Sequence, residues 1–195
     1  MNLPNKLTLL RAVLVPVFLL LLFLNIIPVH YTLALVVFAV ASITDALDGH
    51  IARKNNLVTN FGKFLDPLAD KVLVVSALIA FIELDIISSI PVIIIVAREF
   101  MVSGLRLLAA GSGIVVAAGF SGKLKTAFTM ITIIAILINL AISRDYGWVG
   151  FAFADSFKQC ADIIIQILIW VSAALTVVSG CIYLKGYWNL IDSDK

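Results

Sequence analysis

Six apolar stretches, each about the length of a bilayer-spanning helix, take up most of this chain. They cover residues 7–27, 31–52, 64–81, 86–109, 126–142 and 162–184. Roughly 20 apolar residues cross a bilayer as a helix. Backbone polar groups in lipid must be satisfied within the segment, so helices are the natural solution for runs of this length. Composition agrees: 62% of the 195 residues are hydrophobic and 13% are charged. That charged share is about half that of a soluble domain. A soluble core cannot use so many apolar residues without leaving large greasy patches. The reading is an all-α integral membrane protein with six transmembrane helices, forming one membrane domain over 1–195. Gly and Pro mark the joints, at Pro28, Gly62, Gly111, Gly113, Gly119, Gly122, Gly147 and Gly150.

The placement of charge sets the expected topology. Six spans put the N-terminus, the 53–63 and 106–125 loops and the C-terminus on one side. With nearby helix ends, that side carries twelve of the fourteen Lys and Arg residues. The other side carries Arg144 and Lys158, with Glu83 and Asp85. Basic loops stay in the cytoplasm. Both termini are therefore expected to face the cytoplasm from the cell membrane. The mixed segment 2–8 is expected to lie on the interface as a short N-terminal helix. The first apolar run shows no cleavage site and reads as a retained span. A net charge of +2 gives no reason to expect a nucleic-acid partner. Cys160 and Cys181 form no disulfide or zinc pattern.

Charged groups inside spans are costly and usually functional. Here Asp45 and Asp48 sit near the end of the second stretch, and Asp66 and Asp70 near the start of the third. The i, i+3 and i, i+4 spacings put each pair on one helix face. A short connection lets the two helices pack antiparallel and bring four carboxylates together. Such a group needs protonation or cations. Hard oxygen donors suit Mg²⁺, Mn²⁺ or Ca²⁺. Two divalent cations would balance four charges, and two-metal sites serve displacement at phosphorus. The competing reading pairs these acids with Arg53, Lys63 and Lys71 and gives them only a structural role. Gly49 allows close approach of a ligand to the backbone. Ala52 keeps the same groove shallow, and Arg53 suits a phosphate or a carboxylate.

The string Asp45-x-x-Asp48-Gly49-x-x-Ala52-Arg53, then Gly62, Asp66 and Asp70 at their spacings, resembles the signature of the CDP-alcohol phosphotransferase family at every specified position. The resemblance implies transfer of a phosphoryl-linked group from a CDP-activated donor to an alcohol, with release of CMP. It implies that Asp45, Asp48, Asp66 and Asp70 ligate two divalent cations, Mg²⁺ or Mn²⁺, with Asp70 also the catalytic base. It places Gly49, Ala52 and Arg53 at the CDP site and implies a homodimer. The segments Asn5–Arg11, Ala97–Arg106 and Gly122–Thr126 look like the branch of that family that uses CDP-diacylglycerol and sn-glycerol 3-phosphate. Other acceptors within the family are phosphatidylglycerol, an inositol phosphate and serine. An ion transporter is the remote alternative, and it lacks the inverted repeat expected of one.

In this reading, the acceptor dianion needs cations, and Arg98, Arg106, Lys123 and Lys125 are the candidates. Arg98 should lie within a span. The alternative pairs Arg98 with Glu99 or an aspartate and lets Arg106, Lys123 and Lys125 snorkel to membrane lipids. Asn5, Thr8 and Arg11 are candidates for nucleotide or donor-lipid contacts, against capping and interface anchoring. His30 and His50 read as interfacial or loop residues. Glu83, Asp85, Arg144, Asp145 and Asp155 read as solvated loop charges, and Asp162 with them. Trp148, Trp170, Tyr183, Tyr187 and Trp188 read as interfacial belts or packing.

Overall fold

The computed structural model describes residues 3–24, 27–55, 60–111, 119–146 and 155–186. Side chains are described for 9–24, 27–44, 71–109, 119–146 and 158–186. The described residues form α1 (Leu3–Phe23), α2 (His30–Asn55), α3 (Asn60–Glu83), α4 (Ser89–Gly111), α5 (Phe120–Leu140) and α6 (Asp155–Gly186). A π-helical turn, Ala141–Asp145, continues α5. No strand occurs among the described residues. Each helix overlaps one of the six apolar stretches.

The ends differ from the expected ones in four places. Residues 3–8 run into α1 without a break, so no separate interfacial helix precedes it. Residues 84–88 turn the chain before α4, where the Ser88 hydroxyl accepts from the Ile90 N–H at 3.4 Å. Asp85 in that turn has φ 56°, a left-handed conformation that Asp tolerates better than most residues. Helix α5 begins at Phe120, so Lys123 and Lys125 stand on a helix rather than in a loop. Gly119 starts it by accepting from the N–H groups of Gly122 and Lys123 at 3.1 and 3.3 Å. Helix α6 begins at Asp155, earlier than the apolar run suggests.

The chain forms two compact units, 1–84 with 133–161, and 85–132 with 162–195. In the first, α1 packs on α2 and α3, and α2 meets the π-helical turn. Val15, Phe18 and Leu22 share one buried face of α1 with Arg11, and Tyr31, Ala34, Phe38 and Ala41 share one of α2. These 3–4 residue spacings follow the helical period. Phe18 and Phe38 meet at 5.6 Å between ring centroids, tilted by 49°, a favourable aromatic geometry.

In the second unit, the buried face of α6 runs through Ile165, Ile169, Ser172, Thr176, Ser179 and Tyr183. The face changes from apolar to hydroxyl-bearing along the helix. The buried stripe of α5 within this unit is Lys125, Thr129 and Thr132. Thr132 and Ser172 share a hydrogen bond of 3.1 Å. Threonines 129, 132 and 176 return their hydroxyls to carbonyls one turn back, so their polar groups are satisfied inside an apolar helix. Among the described residues, Phe120–Asp145 and Lys158–Gly186 are long and apolar enough to cross a membrane. Large apolar side chains such as Ile93, Leu107, Leu108 and Ile167 point outward, as in a membrane protein whose solvent is lipid.

Candidate functional site

The acids of the motif stand on two helices. Asp45 and Asp48 lie on α2 with Gly49, Ala52 and Arg53, and Asp66 and Asp70 lie on α3. The helical backbone supports the one-face spacing of each pair. Their side chains lie outside the described ones, as do those of Asn5 and Thr8 on α1. Arg11 is described, and it is buried on the face of α1 that carries Phe18.

The second unit assembles three of the four candidate cations. Arg98 lies in the middle of α4 as expected, with its side chain only 10% exposed. Its Nη1 donates to Glu99 Oε1 at 3.0 Å and its Nη2 to Ser179 Oγ at 2.6 Å. Its Nε is buried and has no acceptor among the described residues. Lys125, from α5, donates to the same Glu99 oxygen and is 4% exposed. Arg106 donates from Nη2 to the Tyr183 hydroxyl at 2.9 Å. The Gly119 N–H donates to that hydroxyl at 3.0 Å. Both guanidinium groups lie 5.4 Å from the Tyr183 ring centroid, within cation–π range. Lys123 is exposed and is not part of this constellation.

Two glycines permit the close packing. A methyl group at Gly180 would stand 3.2 Å from Arg98 Cγ and 3.4 Å from Met101 Cε. One at Gly122 would stand 3.6 Å from the Tyr183 hydroxyl. Among the described residues, three cations against one carboxylate leave the cluster at +2. Its buried donors and excess charge suit a small polyanion, and guanidinium and ammonium groups are the usual phosphate binders. The pairing of Arg98 with Glu99, the structural alternative at the sequence level, is therefore real. Among the described residues it coexists with a surplus of positive charge.

Comparison with known proteins places the chain. A family model for CDP-alcohol phosphatidyltransferases matches residues 1–178. The chain belongs to the CDP-alcohol phosphatidyltransferase family. The CDP-diacylglycerol–glycerol-3-phosphate 3-phosphatidyltransferase of Bacillus subtilis (strain 168) is 42% identical over 205 residues, covering 100% of this chain and 99% of the relative. The protein of the same name from Rickettsia typhi is 39% identical over 184 residues, covering 94% and 96%. A probable phosphatidylglycerophosphate synthase of Mycobacterium tuberculosis is 47% identical over 129 residues, covering 64% and 60%. Family membership agrees with the string from Asp45 to Asp70.

Within this phosphatidyltransferase chain, sequence reasoning missed three residues of the basic cluster. Tyr183 was expected in a belt or in packing, yet it lies under two guanidiniums. Glu99 was named only as a possible partner of Arg98. Ser179 was not singled out. One clue was available: Ser172, Thr176, Ser179 and Tyr183 recur at helical spacing in an apolar run, which marks a buried polar stripe.

Asp145 requires a correction. It is not a solvated loop charge but is 2% exposed. Its Oδ1 accepts from the Tyr31 N–H at 3.4 Å, and its Oδ2 accepts from the Thr32 N–H and hydroxyl at 2.7 Å each. These are first-turn N–H groups of α2, which lack partners within the helix. A carboxylate is the favoured group at that end. Arg144 adds a 3.0 Å hydrogen bond to the Tyr31 hydroxyl. His30 is buried too, with Nδ1 2.8 Å from the Leu21 carbonyl, so it closes the α1–α2 turn rather than standing in an open loop. Glu83, Asp85 and Asp162 are exposed, as expected.

Proposed function

We propose that this chain transfers the phosphatidyl group of CDP-diacylglycerol to sn-glycerol 3-phosphate, giving phosphatidylglycerol phosphate and CMP. The observation that carries this reading is the cluster of buried Arg98 and Lys125 with the more exposed Arg106, which among the described residues carries +2 and has phosphate-binding chemistry. The relatives' names supply the reaction, and the likeness to the Bacillus protein extends over the whole chain. Arg98 and Lys125 hold the acceptor's phosphate, with Arg106 completing its charge. Lys123, exposed on the first turns of α5, draws the anion in from solution. Asp70 takes the proton from the attacking hydroxyl. The geometry of a dianion held at one end leaves its free hydroxyl as the mobile end.

Asp45, Asp48, Asp66 and Asp70 would hold two divalent cations, Mg²⁺ or Mn²⁺. Four carboxylates on two helices are a fitting donor set, because hard cations prefer anionic oxygen ligands. Such ions, when bound, neutralise the pyrophosphate of the donor and stabilise the leaving CMP. Gly49 and Ala52 leave room for the nucleotide beside α2, Arg53 balances its charge, and Asn5 and Thr8 contact it from α1. The donor's acyl chains remain in the bilayer.

The same reading has six membrane spans, with both termini and the reaction on the cytoplasmic side, and a homodimer as the assembly. Support comes from the twelve-to-two distribution of basic residues and from the match of six helices to six apolar stretches.

CMP release by the purified chain, with each acceptor supplied in turn, tests the reaction. Turnover is expected with sn-glycerol 3-phosphate and not with phosphatidylglycerol, inositol phosphate or serine. Chelation of divalent cations should stop it. Asp70→Asn should abolish CMP release while CDP-diacylglycerol still binds. Turnover with a different acceptor, or a fully active Asp70→Asn protein, would overturn the assignment concerned.

A further inference from the structure

Glu99 stands out in the basic cluster because it occupies the donors an incoming anion would use. One carboxylate oxygen accepts from both Arg98 Nη1 and Lys125 Nζ. All three groups are largely buried, with side-chain exposures of 10%, 5% and 15% for Arg98, Lys125 and Glu99. Two cations this far from water are unstable without an anion. The Nε of Arg98 is a further buried donor with no acceptor among the described residues. Charge-assisted donors in such a site bind the nearest suitable oxygen strongly. Among the described residues, the site thus offers more donors than Glu99 accepts from.

We infer that Glu99 is a resident stand-in for the acceptor's phosphate: it holds Arg98 and Lys125 between turnovers, yields them to the phosphate, and reclaims them to release product. The inference rests on the acceptor reading above. It deepens that reading in one respect. The phosphatidylglycerol phosphate made in the reaction keeps the same phosphomonoester as the substrate. A cation site without an internal competitor would hold that product as firmly as it held the substrate. Glu99 makes both binding and release an exchange between two anions, so no step leaves buried cations bare. As a positioning residue, it also sets the charge of the site. Its loss would make the site more positive by one charge, from +2 to +3 among the described residues.

Glu99→Gln keeps the shape and removes the charge, and Glu99→Ser removes the reach as well. Both are compared with Glu99→Asp in the full-length, detergent-solubilised chain. For Gln and Ser, the acceptor KM should fall about fivefold to tenfold, because the competing charge-assisted hydrogen bonds are gone. The inhibition constant of inorganic phosphate should fall in parallel. The kcat should fall with them as release slows, while the KM for CDP-diacylglycerol stays put. Their melting temperatures should drop and recover on adding millimolar inorganic phosphate, a rescue that wild type and Glu99→Asp barely show. A raised acceptor KM, unchanged acceptor KM and phosphate inhibition, or a melting loss that phosphate does not rescue would each overturn the proposal. Failure of the underlying reading looks different. In that case, inorganic phosphate would not compete with glycerol 3-phosphate even in wild type, and Lys125→Met would leave the acceptor KM unmoved.

Discussion

Two buried carboxylates, one in each unit, show how different partners give an acid different roles. Asp145 accepts three hydrogen bonds from Tyr31 and Thr32 at the start of α2. Two of those donors are backbone N–H groups that cannot move unless the helix end unwinds. Glu99 accepts from Arg98 and Lys125, both long side chains that can turn to another anion. An acid bound to a helix end is part of the frame. An acid bound to mobile cations is exchangeable. Both are shielded carboxylates, Asp145 more fully than Glu99; the stiffness of the partner distinguishes them.

Substitutions on each side sharpen the contrast. The largest effect is expected from Lys125→Met, which leaves Glu99 with one cation and removes a phosphate donor. The acceptor KM should rise at least tenfold, or about 1.4 kcal/mol and upward, with the donor KM little changed. Steady-state kinetics with both substrates checks this. Asp145→Ala should cost about 2 kcal/mol of stability, from a lost cap and unsatisfied N–H groups. Its kinetic constants per folded molecule should stay near wild type, read by thermal melting beside the same assay. If Asp145→Ala instead shifted the acceptor KM selectively, the division between frame acid and exchange acid would be wrong.

Smaller effects test the edges of the cluster. Tyr183→Phe keeps the ring under both guanidiniums but deletes the oxygen that accepts from Arg106 and Gly119. Losing the acceptor of the exposed Arg106 guanidinium and one backbone N–H costs roughly 1 kcal/mol, so the acceptor KM should rise about fivefold. Tyr183→Leu, which also removes the ring, should do worse. Lys123→Met should change the acceptor KM less than about twofold at physiological salt, because an exposed charge is screened. A larger effect would place Lys123 in direct contact with the anion.

The helical frame was legible in the chain because apolar period and length are local properties. The aspartate string was legible because its spacing alone puts each pair on one helix face. Helix starts were less legible. Phe120 and Asp155 begin their helices outside the apolar runs, since a helix needs hydrogen-bonded turns rather than hydrophobicity to start. Arg98 drew attention as a charge inside a span. Its neighbours could not be read the same way: Ser179 and Tyr183 are 81 and 85 positions further along the chain.

What the sequence by itself determined is the kind of solvent, the number of apolar helices and the family, all carried by composition, period and one spaced motif. What only the tertiary structure decided is which charges are shared. Asp145 looked like a loop acid until the end of α5 met the start of α2, where unpaired N–H groups gave it a partner. Glu99 looked like a simple neighbour of Arg98 until Lys125 arrived from another helix. Whether a buried charge serves as frame, ligand or exchangeable anion depends on the groups within about 3 Å of it, the reach of a hydrogen bond. Residues far apart in the chain supply those groups only once the helices have packed.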